Sequence, residues 1–206
     1  MLKRLFAAAT MLLPLWVAGP AHAEAVAPDA LVRQISTEVI DSVKADPEIQ
    51  KGDVGRIVAL VDAKVLPYLN FERMTSSAVG RYWRSATPEQ RTKLQSEFKT
   101  LLVRTYAGAL SQVKDQSVQL KPFRANAADS EVVVRTEVKG RGDPIQLDYR
   151  LEKAGDSWKI YDVNVLGIWL VDQYRTSFAQ EIGASGIDGL ITKLAERNQA
   201  AQSGTK

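Results

Sequence analysis

Cysteine is absent from the sequence, and the only histidine is His22. Without cysteine the chain forms no disulfide bond and has no thiolate nucleophile or metal ligand. Because the single histidine lies in a segment that we expect to be removed, the mature chain also lacks the residues for a Ser-His-Asp triad and for zinc, haem or iron-sulfur sites built on His and Cys. Any chemistry would have to use carboxylates, Lys, Tyr, Ser or Thr.

Long apolar runs are scarce as well. The run at residues 5–17 follows Lys3 and Arg4 and precedes the small residues near positions 21–23. This order of a basic, an apolar and a small-residue stretch is typical of a cleavable secretory signal, and the run is shorter than the ~20 apolar residues that span a bilayer. The sequence therefore predicts a signal peptide at residues 1–23, cleaved after Ala23, and a mature protein in the periplasm.

A large excess of charge of one sign is also missing. Removal of residues 1–23 leaves 183 of the 206 residues, with 25 basic and 24 acidic side chains and a net charge of +1. Nucleic-acid binding needs a basic surface, so no nucleic-acid partner is expected. The length predicts one domain at residues 24–198, followed by a small, polar, disordered tail at residues 199–206, and we expect the protein to be a monomer.

Apolar residues recur with helical spacing in the first half of the mature chain. Helices are predicted near residues 29–45, 53–66, 71–79 and 88–113. The clearest start signal is the sequence TPEQ at residues 87–90, which combines an N-cap Thr, a Pro at the first helical position and a Gln that completes a capping box. After Gly167 the helical spacing returns, first near residues 168–178 and then in a short final helix near residues 187–194.

Between these helical segments the apolar residues alternate with a period of two. Four strands are predicted around residues 118–120, 132–138, 145–151 and 158–165, and short turns with glycine indicate antiparallel neighbours. On the third strand the polar residues Gln146, Asp148 and Arg150 predict one face toward water. A change of phase between Ile160 and Tyr161 predicts a bulge that curves the sheet. The predicted fold class is α+β, with several helices packed on one face of a curved antiparallel sheet of about four strands.

Three stretches of the sequence carry a resemblance to a known family. They are VLPYLNFERM followed by VGRYW within residues 65–83, TPEQ and the helix after it at residues 87–110, and YDVNV through IDGLI at residues 161–191. In order and spacing these stretches resemble the toluene-tolerance family of periplasmic phospholipid-binding proteins. The likeness extends over nearly the whole mature chain. One departure is Trp169, since the family usually has a small polar residue, most often Ser, at that position.

The resemblance implies a fold in which helices and a curved sheet enclose an apolar cavity that takes acyl chains tail first. It also implies a role in maintaining the lipid asymmetry of the outer membrane. The carrier would shuttle phospholipid between an outer-membrane lipoprotein complex and an inner-membrane transporter of the ABC type with lipid-binding MCE subunits. The resemblance implies no cofactor and no catalytic residue, with phospholipid bound only as cargo.

The candidate site combines the inward side chains of the sheet with apolar side chains of the helices. The predicted lipid-binding residues are Phe71, Met74, Leu102, Tyr106, Val132, Val134, Leu147, Tyr149, Val163, Val165, Leu170 and Tyr174. Ordinary core packing is the alternative, because periodicity identifies a buried face without saying what fills the space beside it. The candidate headgroup residues are Arg81, Arg104, Arg150 and Arg175, with Arg175 favoured because it follows Tyr174.

Other functions remain open from the sequence. A variant of the same family linked to hopanoid lipids would keep the mechanism and change the cargo. A small enzyme on a cone-shaped α+β fold could use Asp148, Asp162 and Tyr149, which lie on neighbouring predicted strands. An interaction module whose cleft binds an apolar peptide or docks an envelope complex is a third possibility.

Overall fold

The computed structural model describes residues 26–126 and 128–203. The predicted signal peptide lies outside these residues. Within the described ranges, no helix is long and apolar enough to cross a membrane.

Six helices carry most of the chain outside the sheet. Their bounds are α1 (Pro28–Ala45), α2 (Pro47–Gln50), α3 (Val54–Lys64), α4 (Phe71–Val79), α5 (Pro88–Ser111) and α6 (Leu170–Ser203), with short 3-10 turns at Leu66–Tyr68 and Gly80–Ser85. The predicted capping box is present at the start of α5, where the Thr87 hydroxyl accepts from the amide of Gln90 at 3.2 Å and the Gln90 side chain accepts from the amide of Thr87 at 3.0 Å. These two bonds satisfy amides that the helix itself leaves free, which fixes where α5 begins.

The sheet is an antiparallel meander in the order β1-β2-β3-β4-β5. Its strands are β1 (Ser117–Leu120), β2 (Glu131–Lys139), β3 (Ile145–Ala154), β4 (Ser157–Val165) and β5 (Ile168–Trp169). The α+β class and the antiparallel pairing are confirmed. The sequence predicts about four strands, and the fifth is β5, whose two residues pair with Asn164 and Val165 although their spacing resembles the first turn of the next helix.

The predicted irregularity in β4 is a β-bulge. Arg150 pairs with Asp162 and Leu151 pairs with Ile160, so Tyr161 is the extra residue on β4. A bulge of this kind bends the strand and increases its twist. Next to it the chain before α4 joins the sheet, because the amide of Asn70 donates to the carbonyl of Ile160 at 2.8 Å. The bulge therefore lies where the sheet meets the helices.

The core consists of three apolar clusters. In the first, which we call the sheet cluster, α1 packs on one face of β2, β3 and β4 through Leu31, Val32 and Ile35. The second, the helix cluster, joins α4, α5 and α6 around Phe98, and the third joins α1, α2, α3 and the second half of α5 around Ile57. We refer below to the sheet face that α1 covers as the inner face.

The structure differs from two predictions, one about exposure at Asp148 and one about order near the C-terminus. The face of β3 opposite α1 was expected to meet water, but Asp148 is 5% exposed there, and its cross-strand partner Asn164 is 4% exposed. The chain around β5 and the start of α6 turns back against this face. The amide of Gly167 donates there to the side-chain oxygen of Asn164. The tail expected to be disordered from Gln199 is helical as far as Ser203, as α6 continues through a break at Gly186, where φ is 74°.

Candidate functional site

Three of the predicted helix residues come together around one ring in the helix cluster. Phe71, Leu102 and Tyr174 all pack against this cluster and keep part of their surface exposed. The ring of Phe98 lies 5.9 Å from that of Phe71 and 5.0 Å from that of Tyr174, measured between centroids. A fully buried aromatic ring thus supports two half-buried ones, which fixes their positions.

Tyr106 belongs beside this group. Burial is the largest cause that raises the pKa of Tyr106, and the neighbouring Tyr174 raises it further. Tyr106 on α5 and Tyr174 on α6 are both half-buried, and these two helices pack against each other. Met74 and Leu170 behave differently, because they are 2% and 6% exposed and are closed in by protein atoms.

On the sheet, the predicted residues all lie on the inner face. Tyr149 stands opposite Val163 and Leu147 stands opposite Val165 across the β3–β4 pair, and all of these residues are half-buried. Val132 and Val134 on β2 are buried among side chains of α1 and β3. The two valines of β2 are core residues in this structure, whereas the β3–β4 residues keep an open side.

Tyr149 is the most informative of these side chains. It lies deep in the protein, and burial is the largest cause that raises its pKa, while hydrogen bonding with Ser36 and Thr136 lowers it. Yet Tyr149 retains accessible surface. Part of the Tyr149 side chain is therefore left uncovered by protein atoms on the inner face.

Exposure increases steadily along the inner face toward one end of the sheet. On β3 it rises from 0% at Leu151 through the half-buried Tyr149 and Leu147 to 42% at Ile145. Across β4 and β5 it rises from 2% at Ile160 through half-buried valines to 54% at Ile168, which pairs with Val165. The apolar side chains therefore form a continuous path from the core to the surface, which we call the inner-face path.

An ionic cluster on the opposite face holds α4 in place beside this path. The guanidinium of Arg73 contacts Glu131 at 2.6 Å, pairs with Glu152, and lies 3.6 Å over the ring of Tyr161. Glu131 and Glu152 are direct cross-strand neighbours, so Arg73 also separates two like charges. These contacts fix the start of α4, which carries Phe71.

The start of α6 is fixed by Asp162, which is 1% exposed. Its carboxylate accepts from the amide of Val171 at 3.1 Å, in the first turn of α6, and from Arg150 at 2.9 Å. The guanidinium of Arg150 in turn lies 3.8 Å over the ring of Trp169 and 3.5 Å from Asp172. Trp169, the residue that departs from the family resemblance, thus covers a buried ion pair.

Two acids of these clusters are predicted to change stability with pH in opposite directions. Burial is the largest cause that raises the pKa of Asp162 in the folded protein. The stability that this shift contributes is therefore present below the pKa of the unfolded state and is lost as pH rises through the pKa of the folded state. Hydrogen bonds from Arg73 and Tyr161 lower the pKa of Glu131, so its contribution is present above the unfolded pKa and is lost as pH falls.

The measurement is the free energy of unfolding in urea between about pH 3 and about pH 7. The advantage of the wild type over Asp162→Asn should shrink as pH rises, and its advantage over Glu131→Gln should grow. Each variant serves as the control for the other, because both replace one carboxylate by an amide. Parallel pH dependence of the two variants would contradict the assignment.

The four candidate headgroup arginines differ in their surroundings. Arg150 lies on the face opposite Tyr149 and is engaged by Asp162 and Asp172. Arg81 is exposed, and its guanidinium donates to the Tyr82 hydroxyl at 2.9 Å. On α5, Arg104 lies two residues from both Leu102 and Tyr106, a spacing that points side chains to different sides of a helix. Its buried Nε has no hydrogen-bond partner within the part of the chain that the structure describes. Arg175 is exposed and donates to the carbonyl of Ser77 at 3.0 Å.

Sequence reasoning missed part of the packing around the sheet cluster. The helical spacing of α1 predicts an apolar helix face, but it does not predict that this face covers the sheet. Tyr68, Leu69 and Phe123 also pack against the sheet cluster. The apolar character of these residues was the available signal. Their pairing with the sheet depends on tertiary contacts, which periodicity does not specify.

The arrangement does not support the enzyme hypothesis. Tyr149 lies on the inner face, and Asp148 and Asp162 lie on the other, so the sheet separates the residues that were to transfer protons. Among the described residues, no group of three or more acidic, His or Cys side chains is placed to hold a metal ion. A helix layer over one face of an open sheet, with half-buried aromatic side chains between them, defines a protein that binds an apolar ligand.

The comparison with known families agrees with this class. A family model described as "MlaC protein" matches residues 33–196. The chain therefore belongs to the MlaC family, as the stretches quoted above indicate.

Individual relatives cover most of the chain. The "Intermembrane phospholipid transport system binding protein MlaC" of Haemophilus influenzae is 26% identical over 95% of this chain and 93% of its own length. The "Toluene tolerance protein ttg2D" of Pseudomonas putida is 28% identical over 84% of each chain. The solved structure of a phospholipid-binding protein from Ralstonia solanacearum, in complex with a phospholipid, is 44% identical and has a TM-score of 0.82, covering 84% of this chain and 98% of that one.

Proposed function

We propose that the protein is a periplasmic phospholipid carrier that buries acyl chains between the inner face of the sheet and helices α4, α5 and α6. The observation that carries the proposal is the similarity to the Ralstonia solanacearum protein, whose solved structure contains a phospholipid. With 44% identity, a TM-score of 0.82 and 98% of that chain covered, the two proteins share the fold.

The half-buried members of the predicted set form the wall of this site. They are Phe71, Leu102, Tyr106, Leu147, Tyr149, Val163, Val165 and Tyr174. Met74, Val132, Val134 and Leu170 lie behind them as supporting core residues in this structure. A side chain that keeps accessible surface inside the protein can contact a ligand without prior repacking, which distinguishes the two groups.

Physical chemistry explains why the site must be enclosed. A phospholipid with about 30 methylenes would lose on the order of 25 kcal/mol if its tails were exposed to water, at ~0.8 kcal/mol for each CH₂. Release into the aqueous phase is therefore very slow, and we expect transfer while the carrier is docked on a donor or an acceptor. The mouth of the site is the end of the inner-face path, at Ile145 and Ile168, where the apolar side chains reach the surface.

Arg175 is the best candidate of the four arginines for the headgroup phosphate. It lies on the second turn of α6, about 8 Å along the helix axis from Leu170, and directly follows the half-buried Tyr174. Its ion pair with Asp172 is exposed and 3.4 Å long, so the guanidinium remains available to a phosphate.

We predict that Arg175→Ala lowers the affinity for phospholipid about tenfold or more, as expected for the loss of a charge-assisted hydrogen bond. Arg81→Ala is the matched control, because Arg81 is also exposed and bonded to a neighbouring side chain. Transfer of a fluorescent phospholipid from vesicles to delipidated protein measures both. Equal affinities of the two variants would remove Arg175 from the site.

We further propose that the carrier serves an intermembrane route, between an outer-membrane lipoprotein complex and an inner-membrane ABC-type transporter with MCE subunits. The support is that the Haemophilus influenzae relative is named as part of an intermembrane phospholipid transport system, together with the predicted signal peptide. The same two observations support a location in the periplasm.

The decisive experiment is lipid extraction from the purified protein followed by mass spectrometry. The expected result is co-purified phospholipid, and delipidated protein should take up phospholipid again from vesicles. Recovery of hopanoid lipid would assign the alternative cargo to the same carrier. Protein that contains no lipid and takes up none would overturn the proposal.

A further inference from the structure

Three aliphatic side chains are exposed together at the open end of the inner-face path. Ile145 is 42% exposed, Leu166 65% and Ile168 54%. The amide of Leu166 donates to the carbonyl of Gln146 at 3.1 Å, and Ile168 pairs with Val165, so the three residues lie on adjacent strands. We call them the apolar lip.

Leu166 occupies an unusual backbone conformation as well. Its φ is 52°, and Gly167 follows with φ 90°, so the β4–β5 turn has two successive residues with positive φ. Asn, Asp or Gly favour the first position of such a turn, and Leu is disfavoured there. The Asn164 side chain holds the turn by accepting from the amide of Gly167 at 2.8 Å. Neither backbone geometry nor packing explains a leucine at this position, which points to a contact outside the molecule.

Basic side chains border the lip. Lys139 stands at the start of the β2–β3 turn and pairs with Ser117, the first residue of β1. In the same turn, the Nε of Arg141 lies 3.0 Å from Asp115, which ties the chain before β1 to this end of the sheet. Lys44 joins them by donating to the carbonyl of Gln116 at 3.1 Å. The charged residues of this border are Lys44, Lys114, Asp115, Glu137, Lys139, Arg141 and Asp143, four basic and three acidic, and Lys139 lies 3.9 Å from Glu137.

We infer that the apolar lip and its basic border dock the protein on the anionic surface of a phospholipid bilayer. The aliphatic side chains enter the headgroup layer, and the lysines and Arg141 face the lipid phosphates, the combination by which proteins bind membrane surfaces. The inference rests on the proposed function, because docking here places the mouth of the acyl-chain site against the lipids that it exchanges.

A bilayer fits this surface better than a protein partner does. Protein interfaces depend on a few large anchors, mostly Trp, Tyr and Arg, and the lip is aliphatic throughout. The nearest large aromatic, Trp169, lies over Arg150 on the other face of the sheet. Three aliphatic residues and a few cations give weak, reversible membrane binding, which suits a carrier that must leave again.

The test uses the full mature chain and sedimentation with vesicles of phosphatidylglycerol and phosphatidylcholine in equal parts. Leu166→Asn should weaken vesicle binding about tenfold, through the loss of buried apolar surface, and Asn favours the turn, so folding is retained. Val26→Thr is the matched control, since Val26 is 47% exposed but lies far along the chain from the lip. Lys139→Glu with Arg141→Glu should weaken binding to these vesicles and leave the weaker binding to pure phosphatidylcholine unchanged.

Lipid extraction from the same proteins separates this inference from the proposed function. Lip variants that retain phospholipid but lose vesicle binding support both. The docking inference alone would be overturned by a wild type that contains phospholipid but does not bind vesicles, or by lip variants that bind vesicles as the wild type does. Binding of the lip to an envelope protein and not to vesicles would overturn it as well. A wild type that neither contains nor takes up phospholipid would overturn the proposed function itself.

Discussion

Val163→Glu is expected to reduce the phospholipid that co-purifies with the protein by more than tenfold. Val163 is half-buried on the inner face, opposite Tyr149 and within the sheet cluster. A carboxylate there would have to lose its hydration to acyl chains or be protonated, and either costs several kcal/mol. Because about 1.4 kcal/mol corresponds to a factor of ten in affinity, even a fraction of that cost empties the site.

Val133→Glu is the matched control for this substitution. Val133 is also a half-buried strand valine, but it lies on the opposite face, directly across from Arg150, which can pair with the new carboxylate. The amount of extracted phospholipid should stay close to that of the wild type. Cooperative thermal unfolding of both variants checks that they fold. If folded Val163→Glu protein carries the wild-type amount of lipid, the acyl chains do not lie against this part of the sheet.

The contrast between these two valines shows how far the sequence predicts the site. Alternation along a strand assigns Val163 and Val133 to faces of different character, and the assignment to the inner face is right for every predicted strand residue. Alternation does not reveal which inner residues contact core atoms and which border a space. Val134 is completely buried while its cross-strand partner Tyr149 is not, and that difference arises because α1 covers β2 more closely.

The fold was predictable where local signals are strong. The capping box at Thr87 and the phase change at Tyr161 each depend on a few neighbouring residues, and both are present in the structure. The strand β5 was not predictable in this way, because two residues have no periodicity of their own. Burial of Asp148 was missed for a related reason, since it depends on the chain from Gly167 onward turning back over the sheet.

Phe98→Ala should produce the largest loss of stability, about 3–5 kcal/mol in the free energy of unfolding, as is typical for a buried Phe. Phe98 is 0% exposed, and its ring contacts those of Phe71, Tyr174 and Phe178, the last at 5.2 Å between centroids. Removal of the ring leaves a cavity behind two members of the proposed site. Urea denaturation of delipidated protein measures the effect without the stabilisation that bound lipid adds.

Phe123→Ala provides the comparison, because Phe123 is half-buried at the margin of the sheet cluster. This substitution should lower the free energy of unfolding clearly less than Phe98→Ala does. Phospholipid should restore part of the stability lost in Phe98→Ala, since ligand that binds only the folded state shifts the unfolding equilibrium by mass action. The restored fraction should be smaller than in Phe123→Ala if Phe71 and Tyr174 hold the acyl chains, because their support is gone. Equal stabilisation of both variants by lipid would place the chains away from the helix cluster and against the sheet alone.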